Sequence, residues 1–236
     1  MPTAHFRLHV RQGSASERRV RALGDSAEAA RAVVLRLLGI DDRAEAAPVD
    51  LYLADTRAEM TGLVGRPTSG VVPRRARLAY LLAGAAYRPL FRHELTHVYS
   101  LDAWGEPGRG GVWLSEGLAT LATGACAGVG IDARAAEFAR QGVLVPLPRL
   151  AREFSSLPEP VAYGEAASAL QFVVRTGGGI GAIRALWRAA ANPSPQQSAE
   201  HPLGPDGARI EREWRTYLRD VRPVGIDTAA VLRDGC

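Results

Sequence analysis

His93-Glu94-Leu95-Thr96-His97 combines residue types and spacing that could do chemistry together. On a helix the two histidines fall at i and i+4, one turn apart on one face, where both imidazoles can reach a single metal ion. Glu94 is rotated by roughly 100° from His93, so it flanks such an ion instead of competing for it. From there it can take a proton from an attacking water. Histidine is scarce, with five in 236 residues. The plain alternative is a helix with two surface histidines and a solvated glutamate. Against it, Leu90, Phe91, Leu95, Val98 and Leu101 form an apolar stripe beside the histidine face, and Pro89 suits a first helical turn.

A hydrolytic metal site takes three protein ligands and keeps a fourth position open. HExxH supplies two of them. Downstream, Gly111 to Thr120 begins a second amphipathic helix whose lone acid is Glu116, nineteen positions after His97. Leu114, Leu118, Leu121 and Ala122 surround Glu116 with apolar side chains. A carboxylate buried there is costly unless it is paired or holds a metal. The other reading is a solvated glutamate near a helix start, favoured by the helix dipole.

HELTH followed by WLSEGLA resembles the gluzincin metallopeptidases, in particular the small peptidase MA-like domains. The resemblance implies Zn2+, one per chain, held by His93, His97 and Glu116, with Glu94 as general base. Tyr163-Gly164-Glu165-Ala166-Ala167-Ser168 is similar to that family's downstream helix start, and Ile210 to Leu218, with Trp214 and Tyr217, to its closing helix. Tyr163 then has two readings, as a donor to the oxyanion of the reaction or as a tyrosine capping the core of the second lobe. The chain departs from the pattern at Thr120, where several gluzincins carry an aspartate that supports a zinc-bound histidine. Metal-bound histidines need such a partner, and Asp102 could supply it or be a simple turn aspartate.

These residues predict a zinc-dependent peptidase that hydrolyses peptide bonds with an activated water. The alternative is a catalytically inactive peptidase-like module that binds zinc or peptides. The intact Glu94 favours the enzyme, since a binding module has no use for a base. Endopeptidase and aminopeptidase remain open. The latter needs an acid for the substrate's free amine, for which Glu165 and Asp102 are the two possibilities.

The elements that must position these groups follow from periodicity. Phe6, Leu8 and Val10 alternate with polar residues over His5 to Val10, the pattern of a half-buried strand. Ser26 to Leu38 is a predicted helix with Ser26 as N-cap and Gly39 as its end. Val49 to Ala54, Val71-Val72 and Leu78 to Leu82 are predicted strands, with a short helix at Thr56 to Val64. The resemblance implies that a sheet edge borders the substrate, and Ala79 to Leu82 is the expected edge. Beyond Ala122 the chain is predicted to be mainly helical: Asp132 to Gln141, Leu150 to Phe154, Gly164 to Arg175, Ile180 to Ala191 and Arg209 to Val221. Asn192 to Gly207 reads as a loop. The expected class is α+β and zincin-like. Its N-terminal lobe, 1–104, holds a mixed sheet and the HExxH helix; its helical lobe, 105–236, carries Glu116. The Gly177-Gly178-Gly179-Ile180-Gly181-Ala182 run satisfies a dinucleotide-binding pattern but follows a helix, so it reads as a helix-to-helix turn.

Composition narrows the remaining classes. All 29 basic residues are arginine, against 25 acids, for a net charge of +4. The arginines are scattered apart from Arg74-Arg75-Ala76-Arg77 and Arg18-Arg19, which argues against a nucleic-acid face. The expected partner is a peptide or protein substrate. Cys126 and Cys236 show no metal or disulfide spacing; Cys126 is expected as a small buried residue at a helix end. The longest apolar run, Leu78 to Ala86, is too short for a membrane span. With no leader-like segment at the start, the expected setting is the cytoplasm or an extracytoplasmic domain trimmed of its leader.

Overall fold

The computed structural model describes residues 1–42, 47–73, 76–126, 129–192 and 201–222. Arg74, Arg75, Cys236 and residues 193–200 of the loop expected at 192–207 lie outside the described residues. The protein is α+β, predominantly helical with a small mixed sheet. It divides into two compact units, Met1–Ala103 and Trp104–Cys236.

In the first unit four strands, β1 (Phe6–Val10), β2 (Val49–Ala54), β3 (Gly70–Val71) and β4 (Leu78–Leu82), form a sheet in the order β1-β2-β4-β3. β1 and β4 both run parallel to β2, while β3 pairs antiparallel to β4. Phe6, Leu8, Val49, Leu51, Leu53, Ala79 and Leu81 fill the buried face, as period-two alternation demands. Helices α1 (Ala15–Arg18), α2 (Val20–Leu38) and α3 (Arg57–Val64) follow β1, β1 and β2 in turn. α2 buries Leu23, Ala27, Ala30, Val34 and Leu38 at helical spacing, and Gly39 ends it with φ 62°. Thr56 caps α3 by accepting from the Glu59 N–H.

Three local expectations are corrected. α2 begins at Val20, and Ser26 sits inside it with its hydroxyl on the Ala22 carbonyl. The apolar period extends upstream through Leu23, and that burial outweighs a cap signal. β4 is not an edge: it lies between β2 and β3, so β3 closes the sheet. Pro89 precedes the HExxH helix, α4 (Phe91–Trp104), instead of lying in its first turn.

In the second unit a short 3-10 helix (Arg109–Gly111) leads into α5 (Val112–Thr123), followed by an antiparallel strand pair, β5 (Ala125–Cys126) and β6 (Val129–Gly130). Cys126 therefore stands in a strand, because Gly124 (φ 74°) has already ended the helix. Then come α6 (Ile131–Arg140), α7 (Leu147–Glu153), α8 (Glu159–Thr176), α9 (Ile180–Ala191) and α10 (Gly207–Asp220). α8 is the central element, packed by α5, α6, α9 and α10. Gly117 lets α5 approach it closely, since a Cβ there would stand 2.9 Å from the Ala166 Cβ. Trp113, Trp187 and Trp214 are fully buried. The glycine-rich run is a helix-to-helix turn between α8 and α9, with Gly178 at φ 117° and Gly179 at φ 67°. No helix among the described residues is long and apolar enough to cross a membrane.

Candidate metal centre

α4 carries the HExxH residues in the first unit. Its one-turn spacing brings His93 Nε2 to 3.2 Å from His97 Nε2, with the rings edge-on at 77°. Phe91, Leu95, Val98 and Tyr99 are buried on the same helix. His93 is half-buried and His97 is 9% exposed. Glu94 is 4% exposed, in the first helical turn where unpaired N–H groups favour a carboxylate. Ser100 donates to the His97 carbonyl and Thr96 to that of Arg92, so the helix backbone around the pair is held at both ends.

In the second unit Glu116 lies in the second turn of α5 and is half-buried. It is not a fully solvated helix-start glutamate. Thr120, one turn on, is 3% exposed, and its hydroxyl has no hydrogen-bond partner among the described residues. Tyr163 is not at a helix start. α8 begins four residues earlier, at Glu159, because Pro160 fits a first helical turn. The Tyr163 ring packs at 5.1 Å on Phe154.

Asp102 pairs with Arg77 at an exposed position of the first unit. Glu165 is fully buried; it accepts from the Val145 N–H at 3.1 Å. The remaining histidines are engaged elsewhere: His5 with Glu28, His9 with Asp50, His201 with Glu211.

Among the described residues, His93 and His97 of the first unit and Glu116 of the second are the side chains whose chemistry suits a metal ion. No family model matches the chain, and no curated protein or solved structure does either. The chemistry therefore rests on the residues themselves. Two imidazole nitrogens and a carboxylate oxygen form a donor set suited to a borderline-soft divalent ion.

One residue beside this machinery escapes the motif reading. Gly70, in β3, lies directly against the Glu94 carboxyl group. A glycine in a strand can mark a close approach, but nothing in the sequence says what approaches it.

Proposed function

We propose that this protein is a zinc-dependent peptidase of the gluzincin type, with a zincin-like fold. The observation that carries the reading is the His93–His97 pair. Two nitrogens each ~2.0–2.1 Å from one tetrahedral zinc stand roughly 3.3 Å apart, and the two Nε2 atoms are 3.2 Å apart. Glu116 would complete a His, His, Glu set that leaves one position open. Bound there, zinc would lower the pKa of water toward neutrality and polarise the scissile carbonyl.

The chain's own residues would do the rest. Glu94, withdrawn from bulk solvent, would accept the attacking water's proton on a carboxylate oxygen and deliver it to the departing amine nitrogen. Tyr163, by resemblance, would donate its phenolic proton as a hydrogen bond to the developing oxyanion. β3 ends the sheet, so an extended peptide would pair along β3 by strand addition. A binding module without turnover is the weaker reading, because such a module has no use for a base and Glu94 is intact between the two histidines.

Metal analysis and cleavage assays test this together. Protein from a zinc-replete preparation should carry about one zinc and cut a peptide library. Glu94→Gln should keep the zinc and lose cleavage by about 10²–10⁴-fold. A wild-type chain that takes up no zinc would sink the proposal.

A further inference from the structure

Gly70 has no conformational need to be glycine. It is absent from the positive-φ glycines and lies in the regular pairing of β3, opposite Leu81. What excludes a side chain is space. A Cβ built on Gly70 would collide with Oε1, Cδ and Cγ of Glu94, the whole carboxyl end of that side chain. Neither side can retreat freely. The β3 backbone is held to β4 by the Leu82 N–H on the Ser69 carbonyl, at 2.9 Å. The Gly70 carbonyl is held by the Thr68 hydroxyl at 2.7 Å. Glu94 is 4% exposed, so its carboxyl group does not already stand out in solvent.

We propose that Gly70 is a positioning residue for Glu94: its bare backbone is the wall that sets where the carboxylate stands relative to His93 and His97. The functional consequence rests on Glu94 being the base of the proposed peptidase. The packing relation does not. The sheet edge and the acid are then one mechanical unit, and adding a single methyl at position 70 moves the acid while leaving the ligand residues in place. Displacements near 1 Å in reacting groups cost on the order of 100-fold in rate.

The test is a double-mutant cycle read in thermal stability, which needs neither metal nor turnover. Gly70→Ala should lower Tm by about 3–10 °C in the wild-type background, as overpacking does. In the Glu94→Ala background, where the obstacle is gone, most of that loss should vanish. An equal loss in both backgrounds would overturn the proposal, because the strand and not the carboxylate would then require glycine. So would a Gly70→Ala protein with unchanged Tm and unchanged turnover. Gly84→Ala is the control, since its Cβ would meet the Asp55 backbone carbonyl. Its cost should be the same in both backgrounds, and release there too would overturn the assignment by showing general relaxation of the unit. In the active enzyme Gly70→Ala should cut kcat on the order of 10–100-fold with zinc content and KM retained. If the wild type cleaves no peptide, the peptidase reading fails, while the stability cycle still decides the role of Gly70.

Discussion

Glu165 Oε1 and Arg215 Nη2 stand 3.8 Å apart in the second unit, close enough to attract without a hydrogen bond between them. Glu165 is wholly withdrawn from solvent. Burial pushes its carboxyl up to about 8, only partly countered by the Val145 N–H and by Arg215, and Glu211 adds to the rise. The group is therefore a neutral acid in the folded protein at and below neutral pH, wedged between α8, the 143–147 connector and α10.

That arrangement makes stability fall as pH rises. The folded state holds a proton that the unfolded chain releases near 4.5, so the stabilisation is complete below that value and is lost through about 8. The slope is limited to about 1.4 kcal/mol per pH unit for one proton. Wild type should lose Tm between pH 6 and 9, and Glu165→Gln should flatten that loss. Parallel melting curves for the two proteins would refute it.

The proposed ligands should separate from the other histidines and acids in metal binding. His93→Ala, His97→Ala and Glu116→Ala should each weaken zinc by more than the ~10–100-fold that outer-shell partners cost. His5→Ala and His201→Ala should leave it unchanged, since those rings are paired with Glu28 and Glu211. Competition with a chromogenic chelator reads this directly.

Asp102→Asn should change neither zinc affinity nor turnover. Its partner is Arg77, and both side chains are about one-third exposed. Such a pair contributes about 0–1 kcal/mol. A tenfold loss of zinc affinity would instead make Asp102 a support for a ligand.

Asp132 should be a stability residue. From α6 it accepts from Ser168, Gln171 and Arg175 of α8 and from Tyr217 of α10, while buried Trp214 donates onward to the Ser168 hydroxyl at 3.0 Å. Asp132→Ala should cost about 2–3 kcal/mol with zinc content unchanged. Denaturant melts that match wild type would show the network to be idle.

What the sequence determined by itself is the local chemistry. His93, Glu94 and His97 share a helical turn whatever the rest of the chain does, because i and i+4 neighbours follow from 3.6 residues per turn. β2 and β4 were likewise legible to the residue, since a short apolar run bounded by polar and turn residues is a local signal. Tertiary structure decided the rest. A two-residue strand such as β3 carries almost no periodicity; the resemblance made β4 the expected edge, and the pairing of β3 with β4 puts it inside the sheet. The helix expected from Gly164 begins instead at Glu159, with Pro160 in the first turn of α8. The burial of Thr120 and Glu165, and the wall that Gly70 presents to Glu94, are set by which distant segments pack together. Local geometry is written in spacing; contact between remote segments depends on the burial of the whole chain, and no short window of sequence contains it.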